Sequence, residues 1–237
     1  MKGGVRSEED FKNALNSFFP RRGWLGQALN ICPGHNLIYV TNPKAGCSTI
    51  KLLLYKAHTG DWEMSPRNVH RESVLPRPSE MGWSRVYEML NGSAYRFTFV
   101  RHPLTRLVSA YNDKIIRQNV GRAEIRQALG RPVDSAAQIP FDDFIEAIEL
   151  SQPLLMNPHW RPQHLNIFDG VIDYDFIGHL ESFAEDISTV SEATGLPIEA
   201  VVRRNTLEPR NLFEGRPDLV RRVEVIYSKD FELFGYQ

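Results

Sequence analysis

Twice in this chain a short, buried-type strand runs into a tight polar turn and then directly into an amphipathic helix. The first unit is 35–41 (HNLIYVT), then Asn42-Pro43-Lys44-Ala45-Gly46, then a stretch with Ile50, Leu53, Leu54 and Ala57 at helical spacing. Apolar and β-branched residues between turn formers read as a strand, and apolar residues three and four apart read as a helix. Ser48 or Thr49 is placed to cap that helix. The second unit is 95–101 (YRFTFVR), Pro103 in a first helical turn, and Leu104, Leu107, Val108, Tyr111 and Ile115 on one face. A third strand is expected over 172–178 (IDYDFIG), with a helix from Glu181. Strands alternating with helices imply an α/β layer fold with a central, mainly parallel sheet flanked by helices. Ligands of such folds sit where strand ends meet helix N-termini.

The rest of the chain is less patterned. Residues 1–34 read as an irregular lead-in with aromatic anchors Phe18, Phe19 and Trp24, and 35–237 as a single domain. Residues 59–91 read as loop with short elements, 121–139 as loop or a partly exposed helix, and 151–170 as loop. Phe141, Phe144, Ile145 and Ile148 mark a short helix, and Leu219, Val220, Val223, Ile226 and Tyr227 a last amphipathic one. A net charge of -1 gives no electrostatic footprint of a nucleic-acid binder. Two cysteines, Cys32 and Cys47, make no disulfide framework and suit a reducing compartment. No apolar run approaches membrane length, and the opening residues lack a signal-peptide pattern, so a cytoplasmic, unanchored protein is expected. Asn91-Gly92-Ser93 has the form of a glycosylation site and reads as a turn.

The first turn has the make-up of an anion loop. Backbone N–H groups at a helix start lack internal partners, and the helix dipole favours negative charge there. Lys44 adds a mobile positive charge, Gly46 allows close backbone approach, and Ser48 and Thr49 add hydroxyl donors. The lysine precedes the glycine, so this is not the GxxxxGK[ST] loop. An ordinary strand-to-helix turn with a surface lysine is the plain alternative. In the second unit Arg101 ends the strand, and His102, Thr105 or Arg106, Ser109 and Asp113 share the face opposite the apolar stripe. Arg101 and Ser109 can grip a second phosphate. A solvated helix face is the alternative there, but two such turns on adjacent units weigh against coincidence.

The stretch Asn42 to Thr49 (NPKAGCST) resembles the 5′-phosphosulfate loop of sulfotransferases that use 3′-phosphoadenosine-5′-phosphosulfate (PAPS). Val100 to Tyr111 (VRHPLTRLVSAY) resembles their 3′-phosphate motif, in the form found in chondroitin-type carbohydrate sulfotransferases. His159-Trp160-Arg161-Pro162-Gln163, the stretch 173–181 (DYDFIGHLE) and 230–236 (DFELFGY) are similar to the same family, in family order. The resemblance implies a P-loop-like three-layer fold, PAPS as sulfuryl donor and its bisphosphate product PAP. Lys44, Ala45, Gly46, Cys47, Ser48 and Thr49 would hold the 5′-phosphosulfate, and Arg101 and Ser109 the 3′-phosphate. The family's eukaryotic members carry an N-terminal membrane anchor and further cysteines that these residues lack, so a soluble, bacterial-type member is expected.

Sulfuryl transfer needs acceptor oxygen, sulfur and leaving oxygen roughly in line, with negative charge growing on the departing phosphate. Lys44 suits that charge. The attacking hydroxyl must lose a proton to a histidine or carboxylate. His70, in a stretch (NVHRE) that resembles the family's base-bearing segment, is the first candidate, and Glu72 the next. His102 reads as structural or phosphate-side. His159 and Gln163 line an acceptor site or simply pack, and His35, His58, His164 and His179 read as ordinary. Lys114, Arg117, Arg122, Arg126 and Arg131 form a basic run suited to an acidic glycan or to solvent. Arg203, Arg204 and Arg210 are weaker candidates for the nucleotide. No spacing suits a metal. The expected activity is sulfuryl transfer from PAPS to a hydroxyl, in a glycan first of all. The rivals are a catalytically inactive PAP- or glycan-binding module and a P-loop kinase, which needs a Walker-type lysine and a Mg²⁺-binding acid that the sequence does not pair.

Overall fold

The computed structural model describes residues 7–19, 25–63, 66, 68–70, 72, 74–198 and 211–237. In chain order its elements are α1 (Glu8–Ser17), α2 (Leu25–Ala28), β1 (Leu29–Cys32), β2 (Leu37–Val40), α3 (Cys47–Thr59), α4 (Pro78–Met81), α5 (Trp83–Asn91), β3 (Tyr95–Val100), α6 (Pro103–Ala110), α7 (Arg122–Ala128), α8 (Phe141–Glu149), α9 (Gln163–Asn166), β4 (Phe176–His179), α10 (Phe183–Thr194), α11 (Pro217–Ile226) and α12 (Ser228–Phe234). They fall into two compact units. One takes in the described residues of Met1–Val100 and Asn166–Thr206, the other those of Arg101–Leu165 and Leu207–Gln237. Trp24, Arg203, Arg204 and Arg210 lie outside the described residues.

The first unit carries the sheet, in the order β1-β2-β3-β4. β2 runs parallel to β3 (Leu37 opposite Tyr95, Val40 opposite Thr98), and β3 parallel to β4 (Phe97 opposite Phe176). Only β1 is antiparallel. Alternation along β2 sends Leu37 and Tyr39 to one face and Ile38 and Val40 to the other. The first pair packs with Phe97 and Phe99 against Ile50, Leu53 and Leu54 of α3 and Phe183, Ile187 and Val190 of α10. The second pair packs against Phe11 and Leu15 of α1 and Val86 and Leu90 of α5. Both faces are covered, which explains why β2 reads as a continuous apolar run. The mainly parallel sheet flanked by helices is the arrangement the strand–helix alternation implied. Because β2 and β3 are parallel, both end at the same edge of the sheet.

Residues ahead of position 35, expected to be irregular, contain regular structure. Ser7 caps α1 by accepting from the Asp10 amide at 3.1 Å, and three acidic residues occupy the first turn. β1 pairs with β2 across Pro33–His35 and Asn36, which takes a left-handed φ of 45°. Phe18 and Phe19 meet Phe168 edge-on at 5.6 and 5.3 Å. β4 begins four residues later than expected: the Ile172 amide closes a turn on the Phe168 carbonyl at 3.1 Å, and Asp175 is taken up by Arg96. The guanidinium forks onto the carboxylate at 2.8 and 2.9 Å, and the Arg96 amide donates to it as well. Among the described residues no helix is long and apolar enough to cross a membrane.

The second unit is helical. Its core gathers Leu107, Val108 and Tyr111, Ile125 of α7, Phe141, Phe144 and Ile148 of α8, Trp160, and Leu219, Val223 and Tyr227. Trp160 lies edge-on to Phe144 at 5.5 Å, and its carbonyl accepts the Tyr227 hydroxyl. Replacing a buried aromatic such as Trp160 by alanine costs about 3–5 kcal/mol. α6 continues into a π-helical stretch, Tyr111–Arg117.

Candidate active site

In the first unit the turn after β2 is fixed from below. Asn42 is fully buried. Its amide donates to the Phe99 carbonyl at 3.0 Å, and its side-chain oxygen accepts from Asn166 at 3.2 Å. The chain then bends through two left-handed residues, Lys44 (φ 71°) and Gly46 (φ 81°). For a lysine that torsion costs about 1–2 kcal/mol, a strain typical of functional turns. Gly46 has a second reason to be glycine. A Cβ there would stand 3.1 Å from Leu180 Cδ1 and 3.5 Å from the Phe183 ring.

α3 starts at Cys47 with Gly46 as its N-cap and no side-chain cap. The expectation that Ser48 or Thr49 caps the helix is therefore corrected. Gly46 can adopt the torsion the cap position requires here, so the helix begins two residues earlier than a Ser48 cap would set it. The Thr49 and Ile50 amides bond to the Gly46 carbonyl at 3.0 and 3.2 Å. Ser48 is directed elsewhere: its hydroxyl meets His70 Nε2 at 2.9 Å. A tight turn aims His70, with its own amide donating to Asn68 Oδ1 at 3.1 Å and Val69 buried beside it. The loop serine and the first candidate base thus meet, although they are 22 residues apart. Glu72, the second candidate, is exposed. Ala45 and Thr49 are buried, whereas Lys44, Cys47 and Ser48 are half-buried.

Lys51 is a feature the sequence reading passed over. It is buried one turn beyond Cys47 and donates to the Gln27 carbonyl at 3.3 Å. Burial lowers its pKa from the ordinary lysine value, and the electrostatic interaction with Cys47 opposes the shift. The four-residue spacing from Cys47 was the available signal.

In the second unit the turn begins with Arg101. Gln163 grips its peptide from both ends: the Arg101 amide donates to Oε1 at 3.0 Å, and Nε2 donates to the Arg101 carbonyl at 2.7 Å. The Arg101 guanidinium donates through Nε to Thr105 Oγ1 at 3.1 Å, and Thr105 donates to the His102 carbonyl. His102 makes structural contacts. Its Nδ1 caps α6 by accepting from the Leu104 amide at 3.3 Å, Nε2 meets the Gln237 carbonyl at 3.1 Å, and its ring packs on Phe231 and Tyr236. Ser109 is half-buried, two turns along the same helix.

The structure decides between Thr105 and Arg106. Arg106 is 2% exposed and points into the core, donating to the Arg161 and Pro158 carbonyls at 2.8 and 2.9 Å. Arg161 is buried too. Burial first, and Arg106 second, lower its pKa to about 10. The basic run is not one glycan-facing surface. Lys114 and Arg117 pair with Asp113, Arg122 and Arg126 donate to the Ile115 and Ala137 carbonyls, and Arg131 pairs with Asp143. His159 bonds to Asn157 at 2.7 Å. His164, read as ordinary, meets the fully buried Asp230 at 2.7 Å.

A family model described as the sulfotransferase family matches residues 27–237. Carbohydrate sulfotransferase 14 of Danio rerio is 28% identical over 254 aligned positions, covering 98% of this chain and 68% of its own length. Carbohydrate sulfotransferase 10 of Xenopus laevis is 28% identical over 243, covering 86% of this chain and 65% of its own. Carbohydrate sulfotransferase 9 of Homo sapiens is 28% identical over 179, covering 70% and 40%. The chain therefore spans from 40% to 68% of the length of these relatives. No solved structure gives a significant match.

Proposed function

The chain belongs to the sulfotransferase family, and we propose on that premise that it transfers a sulfuryl group from PAPS to a hydroxyl of a carbohydrate. The names of the relatives support the acceptor class. The chemistry of the donor groups supports the nucleotide: a lysine, hydroxyls and helix-start amides on one turn, and an arginine with hydroxyls on the other. In this reading Lys44, Ala45, Gly46, Cys47, Ser48 and Thr49 hold the 5′-phosphosulfate, while Arg101 and Ser109 hold the 3′-phosphate. Bound in this way, PAPS supplies the sulfuryl group and leaves as PAP.

The observation that carries the reading is the 2.9 Å contact between Ser48 and His70. It sets a proton acceptor against the loop whose amides and lysine suit a phosphosulfate. His70 accepts the acceptor hydroxyl's proton as that oxygen bonds to sulfur and the bond from sulfur to the bridging oxygen breaks. Lys44 and the loop amides stabilise the negative charge that collects on that bridging oxygen. Ser48 is the hinge between the two tasks. Its hydroxyl rotates from Nε2 to a phosphosulfate oxygen, and this leaves the imidazole lone pair open to the acceptor.

The test is incubation with labelled PAPS and a panel of glycans. Wild-type protein should label at least one glycan. His70→Ala should still be stabilised by PAP in a thermal shift but label about 10²–10⁴-fold more slowly. Stabilisation by PAP without transfer to any glycan would replace the enzyme reading with that of a binding module.

A further inference from the structure

We infer that Gln163 is a positioning residue that sets selectivity for a nucleotide 3′-phosphate, through the backbone of Arg101 and under the control of Asp230. The inference rests on the proposed role of Arg101. β3 ends at Val100, so Arg101 has left the sheet ladder. The Gln163 side-chain amide replaces the missing strand, taking the Arg101 N–H on its oxygen and giving an N–H to the Arg101 carbonyl. A primary amide is suited to this, because it presents one donor and one acceptor side by side.

Gln163 is itself held. It is 0% exposed, and its backbone amide donates to Asp230 Oδ2 at 2.6 Å. Asp230, also 0% exposed, takes two more hydrogen bonds, from the His164 amide at 3.0 Å and from His164 Nδ1 at 2.7 Å. The chain of contacts runs from α12 through Asp230 and Gln163 to the peptide of Arg101, with Thr105 catching the guanidinium beyond it. A guanidinium reads a phosphate by a planar, directional fork, so small changes in where its Cα sits alter that contact more than they alter a contact made by a flexible ammonium. Neither Gln163 nor Asp230 needs to touch the nucleotide. Their effect should fall on the phosphate that Arg101 grips and on no other group.

The experiment is calorimetric titration of the full chain with PAP and with AMP, which lacks the 3′-phosphate. Wild-type protein should bind PAP more tightly. Gln163→Leu should weaken PAP about 10- to 100-fold and leave AMP unchanged, so the PAP/AMP ratio collapses. Gln163→Glu is the second variant, for the case where leucine prevents folding. It keeps the shape and the acceptor but sets an oxygen against the Arg101 carbonyl, and it should lower the same ratio. A folded variant that keeps the wild-type ratio, or that loses PAP and AMP equally, overturns the inference. A wild-type protein with no preference for PAP overturns instead the role given to Arg101 and the inference with it.

Discussion

The turns that follow β2 and β3 are built by opposite means. After β2 the backbone carries the shape: Lys44 and Gly46 both take left-handed torsions, and α3 starts without a side-chain cap. After β3 no residue of the turn is left-handed, and side chains do the shaping. His102 caps α6, Thr105 holds the guanidinium, and Gln163 clamps the peptide from 62 residues away. The first turn keeps its strain within itself. Distant residues brace it from outside through Asn42, whereas in the second turn a distant side chain holds the turn's own peptide. A torsional substitution should therefore disturb the first turn, and a distant polar substitution the second.

Lys44→Gly breaks the comparison most severely. It removes the charge and relieves the torsion in one change. Transfer should fall about a hundredfold or more. The melting temperature should nevertheless rise by the roughly 2–4 °C that about 1 kcal/mol gives a chain of this size. A lower melting temperature would mean that the strain of the left-handed lysine is smaller than the unfolded-state entropy glycine adds. Gly46→Ala tests the same loop from the other side. With φ at 81° and Leu180 3.1 Å from the new methyl, it should cost about 1–3 kcal/mol, read as a lower urea midpoint. Gly26→Ala, with open space around it, is the control and should not lower the midpoint.

The smallest expected effect concerns the start of β3. Burial pushes the Asp175 carboxyl upward, but the Arg96 guanidinium and amide outweigh it, and the pKa lies below the ordinary value. A depressed carboxyl contributes stability that is present above its unfolded pKa, about 3.9, and is lost as pH falls through the lower folded value. Wild-type melting temperature should therefore drop more steeply below about pH 4 than that of Asp175→Asn. Parallel curves would remove the fork from the account of β3–β4 pairing.

The contrast between the turns also explains what could be read in advance. The loop after β2 is contiguous in sequence, so Asn42 to Thr49 displays its parts in order although its braces at Phe99, Asn166 and Leu180 do not show, and the sheet follows from apolar runs that alternate with helices. The cap was misassigned because a glycine N-cap is only a few tenths of a kcal/mol poorer than a serine one, and neighbouring side chains do not reveal which is used. Thr105 and Arg106 flank the boundary of a helical face, and the carbonyls of Pro158 and Arg161 draw Arg106 inward. Counting charges along 114–131 could not reveal that Asp113 and Asp143 take up three of them. β1 was legible but passed over: LNIC and LIYV flank a Pro-Gly turn, which is a hairpin signal. Gln163 and His164 were not legible, because their partners lie 62 and 66 residues away.

The dependence of Gln163 on Asp230 also bears on the timing of biosynthesis. A ribosome makes the chain in order, and Asp230 follows Leu180 by 50 residues. The lysine loop, whose struts are Phe99, Asn166 and Leu180, has all of them before Asp230 is made. The arginine turn must wait for α12. A newly made chain is thus able to complete its lysine loop while the buried anchor of Gln163 is still unmade.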